Sequence, residues 1–429
     1  MNTIVLPRTR NSISFKPCLV VITGTIFEYY DYALYGFFAT LIAQQFFPDN
    51  DPTIGLLKTF SVFIAGSLSK PLGALIFSQI GDKEGRSPAL KFSLLGIGLP
   101  TMIIGLMPSF NEIGWIAPCL LLLCRITQGM FVSGESDGAR IFLFETLGPR
   151  FYYTASALSG TACMLGIYMA SLAASIVVSY HFPDWAWRVP FIVSGILGIF
   201  IWWLRNNLLE TPEFTNYRAT VSGDTASSLR EVIAKNKTLV FSAILICGTA
   251  GGCYHFYFVF FANYLNSTLT ILDSTLSTLY IARAILVFTL SSLLIAMGTD
   301  YFGEKIIRQI FKIFMIGLTL MIGINIYYIH QKTMPQWVML VTAFFMTPVH
   351  SVGLVLIYKK LLVSERFRCS SLGHAIGSML FSGTAPFMSL WLWKITQFPS
   401  APLFYFTALS IMSYFAVMRL TRKIVCRAN

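Results

Sequence analysis

"GDKEGR", Gly81–Arg86, interrupts two long apolar runs, and "GTDYFGEK", Gly298–Lys305, does the same roughly half a chain later. Both carry Asp-x-x-Gly, as Asp82/Gly85 and Asp300/Gly303, at the end of a hydrophobic stretch. A loop repeated at the same place in each half is the mark of a duplicated bundle, an arrangement common among membrane transporters. Outward from these loops, apolar runs occupy 17–46, 54–80, 88–109, 113–143, 152–180, 186–206, 237–265, 271–298, 305–328, 334–360, 369–394 and 399–420. Each reaches the roughly 20 residues that cross a bilayer core. Six runs precede the longest polar stretch and six follow it. The expected fold class is an all-α membrane protein with twelve transmembrane helices in two pseudo-symmetric six-helix bundles. The expected divisions are an N-terminal bundle over 1–206, a linker loop over 207–236 and a C-terminal bundle over 237–429.

Composition agrees. Of 429 residues 55% are hydrophobic and only 12% charged, with a mean hydropathy of +0.67; water-soluble domains carry roughly 25% charged residues. The first apolar run is too long for a signal peptide and no small-residue cleavage pattern follows it, so it reads as a retained helix. The net charge of +12 does not point to nucleic acid, because the cations collect at alternate helix ends: Arg8, Arg10 and Lys16; Lys83, Arg86 and Lys91; Arg205 to Lys237; Lys359 to Arg368; Arg419 to Arg427. The positive-inside rule then puts both termini and the linker loop in the cytoplasm. The eight cysteines lack paired short spacings, so they read as packing residues rather than a disulfide or metal framework.

Two acids stand out inside the first run, "GTIFEYYDYALYG", Gly24–Gly36. Glu28, Asp31, Tyr32 and Tyr35 share one helical stripe. An ionised acid at mid-bilayer costs roughly 2.5–3.5 kcal/mol, so it normally faces a wet cavity; such an acid can carry a proton or, alternatively, tie helices together. In the fourth run Arg125 is followed at helical spacing by Gln128, Val132 and Glu135. A buried arginine stays charged, and can hold a solute carboxylate or pair with an acid. The expected proton-coupling residues are therefore Asp31, Glu28 and Glu135; those for substrate or charge coupling are Arg125, Gln128, Tyr32 and Tyr35. Asp137 lies within one turn of Arg140 and reads as self-neutralised. In the second half His255, His350 and His374 read as packed side chains. Arg283 is a mid-helix cation in need of an anion, and Tyr254, within "YHFYFVFF", is an aromatic that could face a quaternary ammonium.

These motifs carry a resemblance. "GALIFSQIGDKEGR" resembles the signature loop of the major facilitator superfamily, with Ser78 where a glycine is usual. "RITQGMFVSGESDGA" resembles that superfamily's fourth-helix arginine motif in the form used by the metabolite:proton symporter family. "FEYYDYALYGF", "WAWRVPF" and "LLETPEF" are similar to further landmarks of that family, whose members include bacterial proline/betaine transporters and 2-oxoglutarate permeases. The resemblance covers most of residues 20–240 and thins beyond. It implies the major facilitator fold and proton-coupled import of a small organic solute, a zwitterion such as proline or betaine or a carboxylate, by a monomer in a bacterial inner membrane. It also implies a cytoplasmic gating loop at Gly81, Asp82, Gly85 and Arg86, with Asp300 and Gly303 as its second copy. The chain departs from the pattern at Asp137, where a small or hydroxyl residue is usual, and at Tyr301 and Glu304, where bases are typical. No phosphate-cradling loop, metal-ligand cluster or nucleophile–base pairing occurs, so neither a cofactor nor enzymatic activity is expected. Proton-independent exchange, facilitated diffusion and non-transporting solute sensing are the competing expectations.

Overall fold

The computed structural model describes residues 15–179, 182–183, 185–220 and 229–425; the cations Arg8, Arg10 and Arg427 lie outside them. Every regular element among the described residues is helical, as hydrocarbon demands of a chain that must satisfy its own backbone hydrogen bonds. The twelve spans are α1 (Phe15–Phe37, continued by Ala39–Phe46), α2 (Pro52–Lys83), α3 (Arg86–Leu106), α4 (Ile116–Leu147), α5 (Tyr152–Ser179), α6 (Arg188–Leu204), α7 (Lys237–Tyr254 and the turns beyond it), α8 (Ser274–Phe302), α9 (Ile307–His330), α10 (Gln336–Phe345, Thr347–Val352 and Val355–Tyr358), α11 (Val363–Gly377, resumed as Ala385–Thr396) and α12 (Ala401–Val425). Among the described residues, eleven of these are long and apolar enough to cross a membrane. The twelfth, α1, is of similar length, but Glu28, Asp31 and its tyrosines lower its hydropathy. Two short helices, Pro212–Thr220 and Leu229–Lys235, lie between the bundles.

Within the first six helices α1 packs along α5, α2 along α4 and α3 along α6; within the last six α7 packs along α11 and α12, and α10 against α8 and α9. The bundles meet mainly through α2 against α11 and α5 against α8. These two contacts exchange under the pseudo-symmetry that maps the first half onto the second. Large apolar side chains such as Leu294, Ile316, Leu320 and Phe415 point outward, a surface suited to lipid rather than water.

The second bundle is less regular than its apolar runs suggest. α7 passes through π-helical turns at His255–Phe260 and Tyr264–Thr268, and α11 does so at Ser378–Ser382. Such widened turns recur at functional sites. Here they carry His255, Ser378 and Ser382 to the space between the bundles.

Candidate functional site

A cavity of ≈ 100 Å³ lies between the two bundles, well beyond the roughly 10–15 Å³ one water needs. The first bundle contributes Glu28, Tyr32, Lys70, Ser136, Asp137 and Arg140; the second contributes Tyr254, His255, His350, His374, Ser378 and Ser382. The chain thus brings three of its five histidines to one cavity, although sequence alone reads each as a packed side chain. Asp137 is likewise not paired with Arg140 alone: His374 Nδ1, from the opposite bundle, donates to Asp137 Oδ1 at 3.0 Å, while Arg140 Nη1 stands at 3.9 Å. Nothing in the local pattern of α4 announces a partner on α11. Lys70, Arg140 and these histidines are the cavity residues that sequence reasoning missed.

Glu28 is 1% exposed. Ser136 Oγ donates to its Oε1, and its Oε2 is buried without a hydrogen-bond partner among the described residues. Asp31, one helical turn on and 3% exposed, sits deeper in the first bundle. Ser194 Oγ of α6 donates to its Oδ1 at 2.9 Å, and Gln128 Nε2 of α4 donates to its Oδ2 at 3.2 Å. Gln128 also donates to Thr101 Oγ1 and accepts from Arg125 Nη1 at 2.9 Å. Arg125 therefore reaches Asp31 through Gln128 rather than by an ion pair. Its guanidinium lies over the Tyr35 ring at 4.3 Å and the Tyr32 ring at 5.7 Å, and Tyr35 Oη donates to Thr59 O. Tyr32 links the two sites, since Lys70 Nζ also lies 5.0 Å from its ring centre. Tyr254 lines the cavity, its hydroxyl buried and without a hydrogen-bond partner among the described residues. Among the described residues, no Lys, Arg or His nitrogen lies within 4 Å of either Glu28 or Asp31.

Two expected site residues do not join this arrangement. Glu135 is fully buried and held by Arg205, whose Nη1 and Nη2 donate to its two oxygens at 2.5 and 2.6 Å, and by Ser93 Oγ at 2.7 Å. A bidentate, fully desolvated pair is a clamp between α4 and the end of α6, so Glu135 is not positioned for proton exchange. Gly24 makes room for it, because a Cβ there would lie 1.9 Å from Arg205 Nη2. Arg283 is exposed and bonds to Gln336 Oε1 at 2.8 Å, both within the second bundle. It faces neither the cavity nor an acid; a cation on the periphery of a bundle satisfies itself with a neighbouring amide.

At one end of the molecule the two Asp-x-x-Gly loops each grip the opposite bundle. Asp82 accepts from the backbone N–H of Phe367 and of Arg368, in the early turns of α11, at 3.3 and 3.1 Å; Arg368 Nε lies 3.2 Å from its Oδ2. Asp300 accepts from Tyr153 N and Thr154 N at the start of α5, at 3.1 and 2.8 Å, and from Thr154 Oγ1 at 2.6 Å. At the start of α5 the Asp300 carboxylate meets N–H groups that have no partner within the helix, whereas Phe367 and Arg368 are the fifth and sixth residues of α11, beyond its first turn. Tyr301 and Glu304 do not abolish the second grip: Tyr153 Oη donates to Glu304 Oε1 at 3.0 Å, and Lys359 pairs with the same oxygen. Gly85 and Gly303 have φ of +125° and +80°, which glycine alone adopts without strain. Gly81 serves otherwise than in a turn. It lies within α2, and a Cβ there would come 2.4 Å from the Phe367 ring. Arg86 fastens the loop to Asp82, Glu145 and Val363 O, and Arg366 adds Glu145 and Glu213.

The chain matches the model of the family described as sugar (and other) transporter over residues 17–238. It is 29% identical over 419 residues to a putative proline/betaine transporter of Staphylococcus haemolyticus, covering 92% of this chain and 85% of that one. It is 28% identical to the proline/betaine transporter of Salmonella typhimurium, covering 91% and 80%. The shikimate transporter of Escherichia coli is 35% identical over 217 residues, 49% of this chain and 48% of that one. Among solved structures, the proton:xylose symporter XylE bound to 6-bromo-6-deoxy-D-glucose superposes with a TM-score of 0.76 at 16% identity, over 97% of both chains. The human organic anion transporter MFSD10 does so at 0.68 and 13%, over 93% and 98%; these likenesses concern the fold. With twelve spans, two bundles joined by reciprocal loops and a cavity between them that holds ionisable side chains, the chain belongs to the sugar (and other) transporter family of the major facilitator superfamily and is a solute transporter.

Proposed function

We propose that this transporter is a proton symporter that imports a small organic solute by alternating access across a bacterial inner membrane, with both termini and the 207–236 linker in the cytoplasm. One observation carries the reading: Glu28 lines the cavity, Asp31 is buried one helical turn away in the first bundle, and neither has a cationic partner within 4 Å among the described residues. A buried carboxylate without a base costs several kcal/mol when ionised, and protonation relieves it. Each also has a serine hydroxyl as neighbour, Ser136 or Ser194, and a hydroxyl turns from donor to acceptor when the carboxylate takes a proton. Gln128 passes the charge state of Asp31 to Arg125. The bundles 1–206 and 237–429 then rock about the cavity, and the Asp82 and Asp300 grips hold its cytoplasmic side shut until they part. The names of the relatives favour zwitterionic or carboxylate solutes.

The test is uptake by proteoliposomes with and without an imposed pH gradient. Wild type should concentrate solute only when the outside is acidic. Asp31→Asn keeps size and most hydrogen bonding but cannot titrate, so it should lose accumulation while keeping equilibrative exchange. Equal accumulation by wild type without a gradient would instead indicate proton-independent exchange, and normal accumulation by Asp31→Asn would remove that residue from coupling.

A further inference from the structure

Lys70 is the cavity's one cation with only neutral partners among the described residues. Its Nζ donates to Ser378 Oγ at 3.2 Å and lies over the Tyr32 ring; no carboxylate comes within 4 Å of it. The other charges are engaged or elsewhere. Arg140 and His374 share Asp137, Arg205 holds Glu135, and Arg125, itself outside the cavity lining, is tied to Gln128 and lies over the rings of Tyr32, Tyr35 and Phe63. His255 Nδ1 faces Gly251 O at 2.8 Å and Ser382 Oγ at 3.0 Å. A carbonyl only accepts, so that nitrogen carries hydrogen. His350 meets Tyr254 and Phe288 edge-on. Pro71 has no N–H for the Ser67 carbonyl, and opposite it the π-helical turn of α11 presents Ser378 and Ser382 to the same space.

We propose that Lys70 is the anchor for a carboxylate on the transported solute, so that the protein carries carboxylates, zwitterionic or anionic, and not neutral sugars or carboxyl-free cations. The proposal rests on the reading that Glu28 takes up the transported proton. With Glu28 ionised the lining holds two acids, Glu28 and Asp137, against two bases, Lys70 and Arg140. Protonation of Glu28 leaves one positive charge in excess, and Lys70 is the base without an acid of its own. A carboxylate restores neutrality there and accepts a charge-assisted hydrogen bond, with the hydroxyls of Ser378 and Ser382 as further donors. Tyr32, already against Lys70, and Tyr254 supply ring faces for the rest of the solute.

The experiment uses the purified full-length protein and matched probes: glycine betaine against choline, L-proline against L-prolinamide, and shikimate and 2-oxoglutarate against D-xylose, each titrated by thermal shift and calorimetry. The carboxylates should raise Tm and their carboxyl-free counterparts should not. Lys70→Gln should lose at least ten-fold in affinity for whichever carboxylate binds, and Lys70→Arg should stay within a few-fold, both with the wild-type Tm in the absence of solute. Choline, prolinamide or xylose binding as tightly as the carboxylates would overturn the proposal. So would undiminished carboxylate binding by Lys70→Gln, or no response to any carboxylate. If Lys70→Gln fails to fold, the matched pairs on wild type and Lys70→Arg decide. Binding is read without a gradient, so a protein that binds carboxylates through Lys70 yet accumulates them without protons refutes symport alone.

Discussion

Replacing Asp82 by Asn tests the grip between the bundles. The carboxylate faces two backbone N–H groups of α11, the Arg368 guanidinium and the Arg86 guanidinium. Asparagine keeps one acceptor oxygen for the α11 N–H groups, but turns a donor toward the arginines. Weakening the hydrogen bond to the backbone costs about 0.5–1.5 kcal/mol, and loss of a hydrogen bond to a charged group about 1.5–3 kcal/mol. When the grip is open these groups are hydrated, which offsets part of the loss, leaving a net of about 1.5–3 kcal/mol against the closed arrangement. At about 1.4 kcal/mol per ten-fold, the closed population falls roughly 10- to 100-fold relative to the open one. If each cycle passes through closure, maximal transport falls by up to that factor. Solute affinity should change little, since Asp82 does not line the cavity. Binding and turnover are measured on one preparation, with Asp300→Asn, its counterpart against α5, expected to give the same signature. A large affinity loss with a normal maximal rate would refute the grip as a conformational latch.

Glu135→Gln should cost about 3–5 kcal/mol of stability, because it strands the buried Arg205 charge; a lowered Tm with intact pH dependence of uptake in whatever folds is the expected pair of results, and lost proton dependence at normal Tm would restore Glu135 to coupling. Arg283→Gln should leave stability within about 0.5 kcal/mol and uptake kinetics unchanged, checked by Tm and initial rates, since the side chain is exposed and bonded only to Gln336 among the contacts the structure records.

How far the sequence went is clearest in the acids. Glu28 and Asp31 were legible because an acid inside a long apolar run is costly wherever the run folds, and three-residue spacing places both on one face. The Asp82 and Asp300 loops were legible because a duplicated bundle repeats its turns in the same places. Glu135 looked equivalent to these by helical bookkeeping, yet Arg205, at the far end of α6, neutralises it. Asp137 looked settled by Arg140 one turn away, yet its closer partner is His374 in the other bundle. The second grip looked compromised at Tyr301 and Glu304, yet Tyr153 and Lys359 both engage Glu304.

Membrane insertion, helix number, the two-bundle plan and the position of the first-half acids follow from the sequence by itself, because they depend on run length, hydropathy and spacing within one helix. Which acids are paired, which cation is left with only neutral partners in the cavity, and where π-helical turns bring histidines and serines together were decided only by the tertiary structure. Charge pairing acts through space at about 3 Å, between residues that here lie 70 positions apart for Glu135 and Arg205 and 237 apart for Asp137 and His374, and no local pattern records such a meeting.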